Sequence, residues 1–198
     1  DHSKTQYEER RRSYYMAGED LVWQLGPGFI GCRTRDGNFD SKVFKEYACL
    51  PEVKMIELIL STAIKPVFNA DSTLITGDTL TTKINTNNLT GSLYSTFSEP
   101  EGMIHFLDFL RELSEGKPIG VRLCISDKRE FHEICHAIRK TQLVPDFIVV
   151  EGSFESHNTA HKTKGIHTVM PLYEALLFVS KTLEFYALEK KIRIIAYG

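Results

Sequence analysis

The feature that most constrains the fold is a regular alternation in the second half of the chain. Short, nearly continuous apolar runs occupy residues 119–125, 147–150 and 192–196. Runs of this kind are typical of strands that are buried on both faces of a parallel sheet. Longer segments with apolar residues at helical spacing lie between them. Strand, helix and strand in succession, with short connections, predict right-handed βαβ units.

The helices between these strands carry recognisable boundary signals. The first is predicted from Met103 to Ser114, where Gly116 and Pro118 close it. Asp127 is suited to cap the second helix through its side chain. The third opens at Pro171 and is predicted to run to about Glu189.

The first half adds a helix near residues 40–48 and a strand at 53–60. Residues 67–93 differ in character, because they are rich in Thr, Asn, Ser and Gly and alternate only weakly. We interpret them as an insertion or lid within a single domain that spans residues 1–198. Polar, Gly-containing loops after the strands suit a (β/α)8 barrel, whose site lies at the carboxyl ends of the strands. Periodicity alone fits an open, doubly wound sheet equally well.

Composition restricts the class of protein. Hydrophobic residues make up 42% of the 198 residues, enough for one buried core, and the net charge is −2. The weak charge argues against a nucleic-acid partner, and no apolar run approaches the ~20 residues that cross a bilayer. The four cysteines form no CxxC pair, and the first residues carry no signal-peptide core. Together these features predict a cytoplasmic protein with reduced thiols.

Several short runs, taken together, resemble the FMN-binding domain of the glutamate synthase family. They fall in the family's order and at similar intervals, and they are Gly18–Gln24, Phe29–Arg33, Pro51–Glu57, Leu110–Ser114, Gly116–Gly120, Leu123–Ile125, Pro145–Val149 and Met170–Leu172. The resemblance covers nearly the whole chain except residues 67–93. It implies a (β/α)8 barrel that holds FMN and reduces the imine formed from 2-oxoglutarate and ammonia. It also implies an incomplete barrel, because the family's first strand and last strand–helix unit have no counterpart.

The resemblance implies four cofactor-binding positions, which are Glu8, Lys65, Arg122 and Gly152. Around them the glycines of the family are replaced in three loops, at residues 7–10, 61–67 and 151–161. A flavin barrel needs such glycines so that backbone N–H groups can approach the phosphate and the ring oxygens. It also needs a cation beside the flavin N1–C2=O edge. The family has a lysine at the position of Arg122, and arginine is larger and forked.

We therefore interpret the chain as a degenerate glutamate-synthase-like domain with no FMN, no assigned catalytic residue and a binding or structural role. The alternative is an active FMN-dependent oxidoreductase of the glutamate synthase type, so enzymatic activity stays open. Lys65 and Arg122 are interpreted as remnants, solvated or paired with Glu57 or Glu151. The two glutamates are alternatively an acid/base pair. Missing strands would expose sheet edges, which predicts a homo-oligomer or a partner chain.

Two groups of histidines imitate metal sites. His132 and His136 form an H-E-x-x-H motif, the pattern of zinc proteases. The apolar face of their helix points elsewhere, so we interpret them as surface histidines. His157, His161 and His167 share one loop, but no Cys or paired acidic residue completes a standard ligand set. The sequence therefore predicts no metal.

Overall fold

The computed structural model describes residues 19–26, 29, 31–36, 38–60, 99–152 and 169–198. This part of the chain is an α/β structure with a parallel sheet and helices between its strands. The elements follow one another as β1 (Leu21–Leu25), α1 (Ser41–Ala48), β2 (Val53–Ile59), α2 (Pro100–Leu113), β3 (Ile119–Leu123), α3 (Lys128–Thr141), β4 (Phe147–Glu151), α4 (Leu172–Phe185) and β5 (Arg193–Tyr197).

The five strands lie in the order in which they occur in the chain, and every neighbouring pair is parallel. A doubly wound sheet reverses its strand order at a switch point, and no reversal occurs among the described strands. Right-handed crossovers that all advance in one direction place their helices on one face of the sheet. Consecutive helices accordingly pack beside one another, α1 on α2, α2 on α3 and α3 on α4. The doubly wound alternative therefore does not describe this part of the chain.

Local sequence explains where the helices begin and end. The Asp40 side chain accepts hydrogen bonds from the backbone of Lys42 and Val43, which caps α1. Asp127 accepts from the backbone N–H of Arg129 and caps α3, as the sequence predicts. Gly116 has a φ of 86° and ends the turn after α2, a conformation that glycine adopts without strain.

The main core lies between the sheet and the helices. Alternate strand residues face this layer, and they are fully or almost fully buried: Ile56, Leu58, Val121, Leu123, Ile148 and Val150. The helices contribute mostly the residues that the sequence pattern assigned to their apolar faces. Leu113, Ile134, Leu172 and Leu176 are only partly buried. The opposite face of the sheet carries a different set, in which Gly120 leaves room for the ring of Phe147.

Three details differ from the sequence prediction. Strand β1 was not predicted as a strand. It has only five residues, most of them partly or fully exposed, so its apolar pattern is weak. Helix α4 ends at Phe185 rather than near Glu189, and Ala187 has a φ of 54°. Strand β5 is shifted by one residue, so that it ends at Tyr197.

Several predictions fall outside the described residues. These are Glu8, Lys65, the insertion at 67–93 and the three loop histidines. Within the described ranges, every helix is too short or too polar to cross a membrane.

Candidate functional site

The candidate site lies at the carboxyl ends of the strands. Parallel strands bring their carboxyl ends to the same edge of a sheet, which is where α/β enzymes place their ligands. Strands β2, β3, β4 and β5 each deliver one polar side chain there. We call these residues the carboxyl-end cluster, and they are Glu57, Arg122, Glu151 and Tyr197.

Strand register puts the cluster on one face of the sheet. Ile59, two residues after Glu57, is the partner of Arg122. Arg122 is the partner of Val149, and Glu151 lies two residues after Val149. Glu151 is in turn the partner of Tyr197. Because side chains alternate along a strand, all four residues point away from the helix layer.

Glu57 and Arg122 form a buried ion pair. Glu57 Oε1 lies 2.5 Å from Arg122 Nε, and the two side chains are 5% and 9% exposed. The pair is close in distance, but its geometry is not that of an aligned hydrogen bond. Burial alone lowers the pKa of Arg122, but the close negative charge of Glu57, with a contribution from Tyr197, outweighs it. The pKa of Arg122 is therefore raised, and the guanidinium remains charged.

Tyr197 covers the guanidinium from β5. Arg122 Cζ lies 3.9 Å from the centroid of the Tyr197 ring, a cation–π distance. Arg122 is thus held from two sides, by a carboxylate from β2 and by an aromatic ring from β5. Tyr197 was not among the predicted site residues, although its alternation with Arg193 and Ile195 places the three side chains on one face of the strand.

Gly152 follows β4 immediately and has a packing role. A Cβ at this position would overlap the backbone of Leu172 at the start of α4. The Gly152 N–H donates to the carbonyl oxygen of Tyr197 at 3.3 Å. The absence of a side chain therefore lets the backbone of Gly152 lie close to both α4 and β5.

The one cation of the cluster, Arg122, is matched by a carboxylate within the cluster. Two carboxylates, Glu57 and Glu151, share the edge with one guanidinium. Pairing of Arg122 with Glu57, one of the alternatives left open by the sequence, is present in the structure. A cation that is already paired interacts weakly with an added phosphate or flavin anion, since the two charges of the pair largely cancel at a distance.

The histidines of the H-E-x-x-H motif lie on α3, away from the cluster. The His132 ring packs 5.7 Å from the Phe178 ring and 5.9 Å from the Tyr186 ring, centroid to centroid. His136 is exposed. Within the described ranges, no three His, Cys, Asp or Glu side chains are grouped as metal ligands.

The chain is similar to a curated protein, the glutamate synthase large subunit-like protein YerD of Bacillus subtilis (strain 168). The two are 28% identical over 189 residues, which is 93% of this chain and 36% of the relative. The chain therefore spans about a third of the length of that relative. No family model matches the chain.

Proposed function

We propose that this chain is a glutamate-synthase-like barrel domain in which flavin binding has been replaced by a binding or structural role. Two findings support its relationship to that family. The similarity to the glutamate synthase-like relative extends over 93% of the chain. The consecutive order of five parallel strands is also the order of a singly wound (β/α)8 barrel.

The observation that carries the proposal is the buried pair of Glu57 and Arg122. A bound flavin needs a cation beside its N1–C2=O edge, where negative charge develops on reduction. Arg122 stands at the position that the resemblance assigns to such a cation, and Glu57 neutralises it at 2.5 Å. Moving Glu57 aside would leave a buried charge without its partner. Breaking a buried ion pair in this way costs about 3–5 kcal/mol.

Two neighbouring contacts strengthen this argument. Tyr197 lies against the guanidinium, so one side of Arg122 is covered by the protein's own aromatic ring. The Gly152 N–H, a backbone donor retained from the family pattern, already bonds to the Tyr197 carbonyl. We infer that groups which would contact a cofactor are engaged within the chain itself.

A spectroscopic titration tests the proposal. The purified protein is expected to be colourless, and adding it to FMN should leave the flavin fluorescence and visible spectrum unchanged. The active alternative predicts a yellow protein with stoichiometric FMN that bleaches on reduction. Saturable binding of FMN to the folded protein would overturn the proposal.

A matched pair of variants tests whether the Glu57–Arg122 pair is what prevents FMN binding. Glu57→Gln removes the charge that opposes Arg122, whereas Glu101→Gln makes the same change in the more exposed Lys140–Glu101 pair. With folding verified by circular dichroism, Glu57→Gln should gain measurable affinity for FMN, because Arg122 then lacks the carboxylate that neutralises it at 2.5 Å. The Glu101→Gln control should behave as the wild type. Equal FMN affinities in the two variants would mean that the Glu57–Arg122 pair is not what prevents FMN binding.

A further inference from the structure

We propose that Tyr197 is the positioning residue of the carboxyl-end cluster, and that its ring holds the Arg122 guanidinium in contact with Glu57. This inference rests on the proposed function, because it names the residue that keeps the cation of the same site paired within the chain. Three observations carry it: the directions from which Arg122 is contacted, the way the Tyr197 backbone is held, and the geometry of the ion pair.

The two described partners of Arg122 lie on opposite sides of its strand. Glu57 is on β2, the neighbour of β3 on one side, whereas Tyr197 is on β5, beyond β4 on the other side. Neighbouring strands are about 4.8 Å apart, so the Tyr197 ring reaches Arg122 from a strand roughly 10 Å away. The guanidinium is therefore held between two groups, and losing one of them leaves it free to turn.

The backbone that carries the Tyr197 ring is fixed by β4. Tyr197 is the register partner of Glu151. The Tyr197 carbonyl oxygen accepts a hydrogen bond from the Gly152 N–H at 3.3 Å. Both contacts come from the adjacent strand and the residue that follows it, so the sheet itself delivers the ring to Arg122.

The ion pair needs a second contact, because its own geometry orients the guanidinium weakly. Glu57 Oε1 approaches Arg122 Nε to 2.5 Å, but the two atoms do not form an aligned hydrogen bond. A well-aligned bidentate pair would fix the plane of the guanidinium, whereas this contact leaves it poorly determined. The Tyr197 ring supplies the missing restraint, since its centroid lies 3.9 Å from Arg122 Cζ.

Hydrogen exchange of the Arg122 Nε–H, followed by NMR of the intact protein, tests this role. The nitrogen is buried, so its proton reaches water when the guanidinium moves away from Glu57. The resonance is identified by its loss in Arg122→Lys. Tyr197→Leu keeps an apolar side chain but removes the aromatic face, and it should speed the exchange about tenfold or more. Tyr197→Phe keeps the ring and should stay within about twofold of the wild type.

Two controls separate positioning from a general effect on the fold. The backbone N–H groups of β4, measured in the same samples, should exchange at wild-type rates in Tyr197→Leu, because the strand pairing does not use the ring. Tyr186→Leu removes a different ring, which packs against His132 between α3 and α4. It should leave the exchange of the Arg122 proton unchanged.

Three results would overturn the positioning role: unchanged exchange in Tyr197→Leu, equally fast exchange in Tyr197→Phe, or a parallel rise in the exchange of β4. The last would mean that Tyr197 only stabilises the sheet. Binding of FMN by the wild type would instead overturn the proposed function, and the exchange series is measured without FMN.

Discussion

The charged groups at the two ends of the sheet differ in their burial and in their hydrogen-bond geometry. At the amino end, Asp146 accepts a hydrogen bond from the Ile119 N–H at 2.8 Å and another from Arg111 Nη2 at 3.0 Å. The Asp146 N–H donates back to the Ile119 carbonyl at 2.8 Å. At the carboxyl end, Glu57 and Arg122 are almost fully buried, and their contact is short without being aligned.

This difference separates groups that hold the fold from groups that stand where a ligand would be bound. The charges of the amino end keep access to water and tie adjacent strands through well-directed hydrogen bonds. Those of the carboxyl end bear a desolvation cost, and replacing such a pair by apolar residues is often neutral or stabilising. A buried pair of this kind is therefore weak as a stabilising device, and its place at the carboxyl ends of strands is that of a site.

The largest effect is expected from breaking the carboxyl-end pair. Arg122→Met should lower the free energy of unfolding by about 3–5 kcal/mol, because it leaves Glu57 buried and uncompensated. Adding Glu57→Leu should recover most of the loss. Urea unfolding measures both, and Lys140→Met, in an exposed pair, should change the midpoint little. A double variant as unstable as Arg122→Met would mean that the pair is a stabilising device after all.

The next largest effect is expected at the close contact between Gly152 and the backbone of Leu172, also at the carboxyl end of the sheet. Gly152→Ala should destabilise by about 1–3 kcal/mol, since its Cβ would overlap the backbone of Leu172, which cannot rotate away. Gly26→Ala is the matched control, because no described atom beyond its chain neighbours lies within 4 Å of the added Cβ. Thermal unfolding of the two variants gives the comparison. Equal melting temperatures would refute the packing role of Gly152.

The amino end can be tested in the same way. Asp146→Ala should cost about 2 kcal/mol, because the Ile119 N–H loses its charged acceptor. Asp108→Ala removes another carboxylate from the same Arg111 and should cost only about 0.3–0.5 kcal/mol. Denaturant unfolding distinguishes them. If Asp108→Ala were the more harmful variant, the strand-tying role of Asp146 would be wrong.

The helix layer buries an ionisable group, the Cys135 thiol, in apolar surroundings, in contrast to the paired charges at the two ends of the sheet. Burial raises the pKa of the Cys135 thiol on α3 from 9.0 to about 12. The folded state therefore holds this proton more tightly than the unfolded state, so its contribution to stability is present below pH 9.0 and is lost as pH rises toward 12. Unfolding measured from about pH 8 to about pH 11 should show a steeper decline for the wild type than for Cys135→Ala. Parallel curves would contradict this assignment.

Much of the fold was predictable because its signals are local. The caps at Asp127 and Gly116 and the buried runs of β3 and β4 depend on residues that are close in sequence. The end of α4 was predicted too late, since the left-handed turn at Ala187 uses a residue that favours helices. Strand β1 gave no clear signal because an edge strand has a less regular apolar pattern.

The site was predictable only in part, because its contacts join distant strands. Sequence placed Arg122 and Gly152 at strand ends and offered two acidic partners for Arg122. The choice of Glu57 depends on side-chain geometry across β2 and β3, which no local pattern encodes. The Tyr197 contact depends on β5 reaching one residue further than its apolar run suggests.

The consecutive strand order has a consequence for how the protein is made. Each new strand pairs with the strand made just before it, so the sheet can lengthen one unit at a time as the polypeptide leaves the ribosome. Among the described strands, none has to wait for a later one to be inserted between it and the strand before, so these pairings span only one helical connection each. Growth of this kind leaves a single advancing edge to be shielded during synthesis, and in the described part of the chain that edge finishes as β5.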